Sequence, residues 1–535
     1  MPTDLPLADA PLAAIDIGSN SFRLEIGQLD GGRYRRIDYL KETVRLGAGL
    51  DGHGLLTDEA GERGLACLRR FAQRLHGMPA AQVRAVATQT LREAKNRDAF
   101  LLRAQAALGK PIEVISGREE ARLIYAGVAH LQPSELPRLV IDIGGRSTEM
   151  ILGRGLVPSR AESFAVGSVS LTTQHFAEGR LTAAAFRAAQ VAAGAELEEA
   201  LLPFAPQHWH EALGSSGTAG AVSQLLAASG IDGGVITPGG LQWLIERCVR
   251  AGHIDKLELP GLKEDRRAVI AGGLALLYTL TVQFGIEALK PTRGALRQGV
   301  IIELHQRHGA RRQSARIGAG TSGPRGGVAR SGDIRDASVR GLQRRFKVDT
   351  AQAARVRRIA MALYSSVAVN DAADASIASE SDRELGWACD LHELGMMVSH
   401  HDHHRHSAYL LGNADAAGFS QSQQRHLAAM VLGQRGGLRK IETPLTQRAF
   451  ALQVLALRLA VIKCHARGAV DGQALQLERC GNGLLLRFTP TWAASHPRTL
   501  YLLQQEALAW ARSGVLTLTL DVPAAEGSAV AAAGS

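Results

Sequence analysis

A short glycine-containing segment occurs twice in this chain, and the repeat limits the folds that the chain can adopt. Leu139 to Gly153 reads LVIDIGGRSTEMILG, and Ala13 to Gly27 reads AAIDIGSNSFRLEIG. At an offset of 126 residues the two copies align Asp16 with Asp142, Gly18 with Gly144, Ser21 with Ser147 and Gly27 with Gly153. Each copy has an apolar run, a turn and a second apolar run, which predicts a strand–turn–strand hairpin. Two copies at this spacing predict two similar halves.

The two turns carry groups that suit phosphate. Glycines let the backbone approach a ligand closely, and successive turn N–H groups with Ser and Thr hydroxyls form a concavity for phosphate oxygens. Asp142 ends the first strand of its hairpin, where it could hold a metal bound to those oxygens. One isolated hairpin is equally well explained as an ordinary turn, whereas two that face each other would hold a polyanionic phosphate chain and a metal. The predicted contacts in the turns are Gly18, Ser21, Gly144, Gly145, Ser147 and Thr148.

Two further stretches combine an apolar strand pattern with small residues at a predicted helix start. Gly167 to Ser170 follows AESFAV, and a helix N-terminus at that point attracts anions, which makes Ser168 a candidate contact. The turn in EALGSSGTAG, residues 211–220, adds Ser216, Gly217 and Thr218 as candidates. A tight turn alone would also explain this second stretch.

Two neighbouring glutamates follow the predicted strand PIEVI. Ser116 and Glu119 have the spacing of a capping box, in which the Ser side chain caps the helix and the Glu side chain reaches back to the Ser N–H. Glu119 therefore has a structural role. Glu120 has none of this kind and is left for chemistry.

The composition favours a soluble protein with polyanionic partners. A chain of 535 residues predicts three or four domains, and 46% hydrophobic with 21% charged residues is ordinary for a soluble globular protein. The net charge of +10 favours nucleic acid, acidic lipid or a phosphate polymer. Because only 4% of the residues are aromatic, stacking platforms for single strands are disfavoured, and we expect no nucleic-acid partner.

Other sequence features predict a cytoplasmic location. The five cysteines have no CxxC spacing, which is typical of structural thiols in a reducing compartment. The first residues, MPTDLPLADAPLA, lack the basic and apolar regions of a signal peptide. The uncharged run at 268–286 predicts a buried helix rather than a membrane span. We expect no transmembrane segment, and peripheral association with the inner membrane stays open.

Pattern and composition divide the chain into five parts. A Gly-, Ser- and Arg-rich stretch without acidic residues predicts a flexible basic linker, periodic Ala, Leu and Val after it predict helices, and mixed patterns follow. The predicted parts are a first α/β lobe at 12–129, a second at 130–308, the linker at 309–332, a helical domain at 333–470 and a small α+β domain at 471–523.

Together these motifs resemble the exopolyphosphatase / guanosine pentaphosphate phosphohydrolase family. Stretches LHELG (391–395) and HRHSAYLL (404–411) are similar to the helical domain of its long members, and the whole is closer to exopolyphosphatases. The resemblance implies two actin-like, ribonuclease-H-like lobes, an HD-like helical domain and a homodimer. The motifs of the first two lobes are DIGSNSFR (16–23), TQTLREA (88–94), VISGREEARLIYAGV (114–128), IDIGGRSTE (141–149), VGSVS (166–170) and LGSSGTA (213–219).

The resemblance also implies roles for individual residues. Glu120 matches the glutamate that activates the attacking water, and Arg92 matches a basic residue that contacts substrate phosphates. The implied cofactor is Mg²⁺, with a monovalent cation such as K⁺ as a further candidate. The first phosphate loop would be Ser19, Asn20 and Ser21, and the expected metal ligands are Asp142, Glu149 and, by the repeat, Asp16.

This chain departs from the family pattern at two places. Arg146 stands where the family usually has a glycine, and we expect it to add a phosphate contact, although it could instead fill space that a backbone approach needs. HD-type metallophosphohydrolases use a His-Asp pair, whereas this chain has His392-Glu393. The histidine-rich stretch at 400–406 is expected to be solvated or structural, without catalysis.

Three functions are open from the sequence. The first is an exopolyphosphatase, a Mg²⁺-dependent enzyme that hydrolyses inorganic polyphosphate from its end, with guanosine pentaphosphate 5′-phosphohydrolysis as its close alternative. The second is an ATP-dependent sugar or acetate kinase, for which no adenine or sugar pocket signature is visible. The third is a non-catalytic sensor of polyphosphate or nucleotide, against which Glu120, Asp142 and Glu149 speak.

Overall fold

The computed structural model describes residues 10–318, 333–368, 375–468, 471, 474–481 and 483–521. The chain divides into two compact units. The first comprises Met1–Asp333 with the short segment Ala417–Gln421, and the second comprises Ile334–Ala416 with Ser422–Ser535. The predicted division into five parts stays a prediction.

The first sheet of the first unit has five strands in the order β3-β2-β1-β4-β5. β1 pairs antiparallel with β2 and parallel with β4. The strands are β1 (Leu12–Ile17), β2 (Ser21–Asp30), β3 (Arg33–Thr43), β4 (Val83–Ala87) and β5 (Ile112–Val114). The accompanying helices are α1 (Asp58–Arg74), α2 (Gln89–Glu93), α3 (Arg97–Leu108) and α4 (Gly117–Leu131).

The second sheet repeats this topology. Its order is β10-β9-β6-β7-β8, so that β6 pairs antiparallel with β7 and parallel with β9, as β1 does with β2 and β4. The expected duplication of an actin-like lobe is thereby confirmed. The strands are β6 (Arg138–Ile143), β7 (Thr148–Arg154), β8 (Val157–Phe164), β9 (Glu211–Ser215) and β10 (Leu289–Pro291). The helices are α5 (Ser168–His175), α6 (Ala183–Leu197), α7 (Ser216–Ala228), α8 (Pro238–Ala251), α9 (Glu264–Arg267), α10 (Ile270–Gln283) and α11 (Leu296–Gly318).

The repeated glycines Gly27 and Gly153 have the same structural role. Strand pairing shifts register at Gly27 in the first sheet and at Gly153 in the second, as at a β-bulge. A tyrosine ring lies over each glycine, Tyr34 over Gly27 and Tyr125 over Gly153, where a Cβ would collide with it. The repeat therefore extends from the turn to the far end of each hairpin.

Helices α4 and α11 pack against each other and share a hydrophobic core with residues of both sheets, including Ala14 and Val140. Glycines bring the two backbones into direct contact, since a Cβ at Gly299 would collide with the carbonyl of Leu123. The first turns of α4 and α11 are thus fixed relative to the ends of β1 and β6.

Helix α10 accounts for the long uncharged run and is almost entirely buried, as expected. None of the helices in the described ranges has the length and apolarity to cross a membrane. Helix α11 extends to Gly318, so the predicted linker at 309–332 is wrong for its first part, which continues the helix. Its remainder, 319–332, lies outside the described residues.

The second unit is helical and ends in a small three-stranded sheet, as the sequence predicts. The sheet has the order β11-β12-β13, antiparallel and then parallel. The helices are α12 (Ile334–Arg345), α13 (Thr350–Val367), α14 (Ala375–Leu391), α15 (His403–Asn413), α16 (Gln421–Gly433), α17 (Glu442–Leu445), α18 (Arg448–Lys463), α19 (Pro490–Ser495) and α20 (Pro497–Ser513). The strands are β11 (Leu475–Cys480), β12 (Gly483–Phe488) and β13 (Leu518–Asp521).

Candidate active site

A polar cavity in the first unit collects most of the residues that the sequence predicts. It lies at the carboxyl ends of β1, β6 and β9, the edge where open α/β sheets bind their ligands. The predicted residues that line it are Asp16, Gly18, Ser19, Asn20, Ser21, Glu120, Asp142, Gly144, Gly145, Ser147, Ser168, Ser216, Gly217 and Thr218.

The two hairpin turns approach each other across this cavity. A Cβ placed on Gly145 would lie 3.3 Å from Ser19 Cβ and 3.7 Å from Asn20 Cβ. Ser19 is held in turn, since its carbonyl accepts the Gly47 N–H at 2.7 Å and its Oγ accepts from Thr90 Oγ1 at 2.8 Å. A side chain at Gly145 would therefore meet Ser19 of the first turn at a tight distance.

Glu120 lies in the first turn of α4 and faces the cavity, in a pair with Arg92. The Arg92 NH1 donates to Glu120 Oε2 at 2.7 Å, and Gln89 Oε1 accepts from Arg92 Nε at 3.0 Å. Burial raises the pKa of Glu120 to about 7, helped by the charges of Asp16 and Asp142 and opposed by Arg92. Arg92 does not itself line the cavity, so its place in this structure is behind the carboxylate rather than on a phosphate.

Glu119 has a different role from the one predicted. Ser116 caps α4, because its Oγ accepts the Glu119 N–H at 3.2 Å, but the Glu119 carboxylate does not reach back to complete a capping box. It instead accepts from Arg122 at 2.7 and 2.8 Å and from the Gly418 N–H at 3.0 Å. Arg122 also pairs with Glu303. The Glu119 carboxylate therefore belongs to a buried network of charged side chains, and the Ser116 N–H does not donate the second bond of a capping box.

The second hairpin carries two carboxylates on facing strand positions. Asp142 on β6 is the cross-strand partner of Glu149 on β7, and both are buried. Glu149 does not line the cavity, and its Oε1 accepts from Ser163 Oγ at 2.8 Å. Burial raises the pKa of Asp142, and burial together with the charges of Glu120 and Asp142 raises the pKa of Glu149 well above its ordinary value.

These carboxylates fit a divalent cation. Repulsion between buried acids is relieved when a cation binds beside them. In the part of the chain that the structure describes, no three His, Cys, Asp or Glu side chains are grouped as a metal cage. Mg²⁺ does not require one, since one or two carboxylates together with water and substrate phosphates are its usual ligands. Asp142 and Glu149 are therefore suitable as that pair.

Asp16 is in a different electrostatic environment from Asp142. Its Oδ2 lies 3.5 Å from Arg23 NH1 and 3.6 Å from Arg297 NH1. Two guanidinium groups already neutralise this carboxylate and would repel a metal. The structure thus gives Asp16 the role of holding two arginines at the cavity, which argues against the predicted metal ligation.

The hydroxyls at the helix starts are bonded to backbone carbonyls. Ser168 Oγ donates to the Gly144 carbonyl at 3.1 Å, and the first N–H groups of α5 donate to the carbonyls of Gly144 and Gly145. The anion site predicted at the start of α5 is therefore wrong, because these donors fasten the second turn. Ser216 Oγ and Thr218 Oγ1 donate to the Ile143 carbonyl at 2.9 and 3.1 Å.

Arg146 and Thr148 do not line the cavity, in contrast to the prediction. The Arg146 NH2 donates to Glu93 Oε2 at 2.7 Å, and its Nε donates to the same oxygen at 3.1 Å. Thr148 is fully buried and donates to the Val166 carbonyl at 2.6 Å. Both side chains stabilise the surroundings of the second turn.

The sequence reading missed three arginines of the cavity wall. Arg23, Arg266 and Arg297 line the cavity beside the predicted residues. The guanidinium of Arg266 lies against Gly217, where a Cβ would collide with it. Arg23 had a usable signal, because Ser21, Arg23 and Glu25 alternate along β2 and so share one face of the strand. Arg266 and Arg297 have no such signal in the sequence.

His392 and Glu393 of the helical unit both have partners within that unit. His392 is buried with Nδ1 2.7 Å from the Cys389 carbonyl, and Glu393 pairs with Arg467. Among the described residues, the histidines at 400–406 do not form a group of three or more metal-binding side chains.

Two family models match this chain. The model of the Ppx/GppA phosphatase family matches residues 26–308, and the model of Ppx/GppA phosphatase, domain III, matches residues 334–507. The first covers more than half of the chain, and the second covers most of the helical unit.

Solved structures with a similar fold cover about half of the chain. An exopolyphosphatase from Cytophaga hutchinsonii is 23% identical with a TM-score of 0.51, and an exopolyphosphatase-like protein is 24% identical with a TM-score of 0.50. A PPX-GPPA enzyme of Aquifex aeolicus is 25% identical with a TM-score of 0.46. Each match covers 55% of this chain and 98% of the other. With the two family models matched along its length, the chain belongs to the Ppx/GppA phosphatase family.

Proposed function

We propose that this protein is an exopolyphosphatase that removes orthophosphate processively from the end of inorganic polyphosphate, with Mg²⁺ as cofactor. Membership in the phosphatase family supports a phosphoanhydride hydrolase. The net charge of +10 favours a long polyanion over a small acceptor.

One observation carries the proposal: the two hairpins present opposite charges to one cavity. The first hairpin contributes Arg23, and Arg266 and Arg297 stand beside it on the cavity wall. The second contributes Asp142, which lines the cavity, supported by its buried cross-strand partner Glu149, which does not line it. A terminal phosphoryl group with its metal needs such a pair of surfaces, because guanidinium groups bind phosphate oxygens and carboxylates bind the cation.

Glu120 is the general base of the proposed reaction. Its carboxylate faces the cavity between the two hairpins, and a pKa of about 7 matches a group that must take up a proton near neutral pH. Arg92 fixes its orientation from behind. Mg²⁺, held by Asp142 and Glu149, would neutralise charge that develops on the transferred phosphoryl group. The guanidinium groups orient the terminal phosphate for in-line attack by water.

Guanosine pentaphosphate is the second candidate substrate, and a neighbouring cavity favours it. That cavity shares Arg266 and Gly217 with the first and adds Gln224, Leu225 and Leu262, beside the charged residues Lys41, Lys263 and Asp265. An amide and apolar side chains beside a phosphate site are suited to a nucleoside.

Initial rates of orthophosphate release from long-chain polyphosphate and from guanosine pentaphosphate, at equal terminal-phosphate concentration and with Mg²⁺, decide between the two. We expect a larger kcat/KM on polyphosphate, and Glu120→Gln is the matched inactive control. A strong preference for the nucleotide would contradict the proposal. Phosphorylation of a small acceptor by ATP would instead support a kinase, and binding without turnover would support a sensor.

The family resemblance extends the proposal to a homodimer, a cytoplasmic location and activation by a monovalent cation such as K⁺. Light scattering of the purified protein checks the first, and cell fractionation checks the second. Replacing K⁺ by Na⁺ or tetramethylammonium in the rate assay checks the third.

A further inference from the structure

A fully buried glutamate lies directly behind the arginine wall of the cavity. Glu25, on β2, accepts from Arg297 Nε at 3.1 Å, from Gln298 Nε2 at 2.7 and 2.8 Å, and from the Tyr34 hydroxyl. It does not line the cavity. The second hairpin has Ile151 at the equivalent position, so this carboxylate is a property of the first hairpin alone.

Arg297 connects Glu25 with the cavity. It is the second residue of α11, its guanidinium lies 5.2 Å from the centre of the Tyr39 ring, and only Nε is hydrogen-bonded. NH1 is buried 3.6 Å from Asp16 Oδ2 without a hydrogen bond, and NH2 has no partner among the residues that the structure describes. The side chain thus ends at the cavity with donors still available.

Unpaired donors are concentrated on this side of the cavity. Besides Arg297 NH1, the buried atoms Ser21 Oγ and Arg23 Nε have no hydrogen-bond partner in the described structure. Because the large majority of buried side-chain polar atoms are paired in native proteins, three unpaired atoms at one cavity indicate that a ligand or water completes them. A phosphate oxygen is the complement of guanidinium and hydroxyl donors.

Anchoring distinguishes Arg297 from Arg23 on the cavity wall. Its side chain is 10% exposed, compared with 20% for Arg23, and it is anchored through Nε, whereas Arg23 Nε is unpaired. A guanidinium that is fixed before the ligand arrives loses little freedom on binding.

We propose that Arg297 binds a phosphate group of the substrate and that Glu25 is the positioning residue that fixes its guanidinium. The proposal rests on the proposed function and goes beyond it by assigning the phosphate contact to α11, with Glu25 supporting it from behind the cavity. Glu25 touches no substrate and acts only through Arg297.

Steady-state kinetics on tripolyphosphate with Arg297→Lys, Glu25→Gln and the double variant test this assignment. We expect each single variant to raise KM about tenfold with kcat changed less than threefold, because a charge-assisted contact is lost or misplaced. The double variant should be no worse than Arg297→Lys alone, since residues that act through one contact are not additive. Tyr34→Phe is the matched control, because it removes a donor to Glu25 without touching Arg297.

Wild-type KM in folded Glu25→Gln, or additive effects of the two substitutions, would overturn the proposal. If Glu25→Gln does not fold, Glu25→Asp takes its place, with the same expected rise in KM through its shorter reach. If the wild-type protein hydrolyses no phosphoanhydride, the proposed function fails. In that case calorimetric titration with tripolyphosphate still tests the site, and equal Kd for wild type and Arg297→Lys would overturn it.

Discussion

Arg23 and Glu149 occupy the same position in the two copies of the repeated hairpin and carry opposite charges. Arg23 is the cross-strand partner of Asp16, and Glu149 is the cross-strand partner of Asp142. One hairpin thus pairs an acid with a base, and the other pairs two acids. The two hairpins have the same backbone fold but different chemistry: the acid–base pair of the first suits a phosphate ligand, and the two acids of the second suit a cation.

This division predicts different defects for the two positions. Glu149→Gln removes one of two carboxylates and should raise the Mg²⁺ concentration for half-maximal activity at least tenfold. Arg23→Gln should raise the KM for polyphosphate and leave the Mg²⁺ requirement within about threefold of wild type. Activity measured against Mg²⁺ at several polyphosphate concentrations separates the effects. The same Mg²⁺ defect in both variants would contradict the division.

The neighbours Glu119 and Glu120 should respond differently to the same substitution. Glu120→Gln should lower kcat by about 10²–10⁴-fold with substrate binding nearly intact, because the amide cannot accept a proton. Glu119→Gln should keep most of kcat but lower the free energy of unfolding by about 1–3 kcal/mol, since Arg122 loses a buried charged partner. Rate assays and thermal melts of both variants check this. A dead but stable Glu119→Gln protein would reverse the assignment.

Activity should fall on the acid side of neutrality. The base acts when it is unprotonated, so with a pKa of about 7 for Glu120 the value of kcat/KM should be full above pH 8 and fall tenfold per pH unit below about 7. Arg92 holds this pKa down, so Arg92→Gln should move the acid limb to higher pH. An acid limb that stays in place or moves to lower pH in the variant would show that Arg92 does not act on this carboxylate.

Arg146 should matter little for substrate. It is paired with Glu93 outside the cavity wall and is about one quarter exposed, so Arg146→Ala should change KM for polyphosphate less than threefold. The loss of stability should be about 0.2–1 kcal/mol, as for other partly exposed ion pairs. Arg297→Lys provides the comparison within the same assay. A tenfold or larger rise in KM for Arg146→Ala would restore the phosphate contact that the sequence suggested.

The sequence was sufficient where the signal is local and repeated. The hairpins and Asp142 follow from the repeat at an offset of 126 residues, Glu120 follows from the family resemblance, and the structure places these residues at one cavity. The repeat also includes Gly27 and Gly153, and the structure explains why both are glycine: each lies at a bulge under a tyrosine ring.

The sequence was insufficient where a side chain takes a hydrogen-bond partner that is distant in the chain instead of a local one. The Glu119 carboxylate is bonded to Arg122 and Gly418 rather than to the N–H of Ser116, and no local pattern could show that Gly418 lies nearby. Ser168 was likewise predicted to contact an anion. Its actual partner, the carbonyl of Gly144, lies 24 residues away in the chain, so the sequence around Ser168 gives no indication of that hydrogen bond. Arg266 and Arg297 line the cavity only because the fold brings their helices to it, which no pattern in the sequence predicts.

Hydrolysis in water labelled with oxygen-18 tests the central claim most directly, because it shows which phosphorus the water attacks. If Glu120 delivers water to the terminal phosphoryl group, each orthophosphate released from polyphosphate should carry one labelled oxygen and the remaining chain none. Glu120→Gln should release almost no labelled orthophosphate under the same conditions. Label in the remaining chain, or label released as fast by Glu120→Gln as by the wild type, would contradict the account.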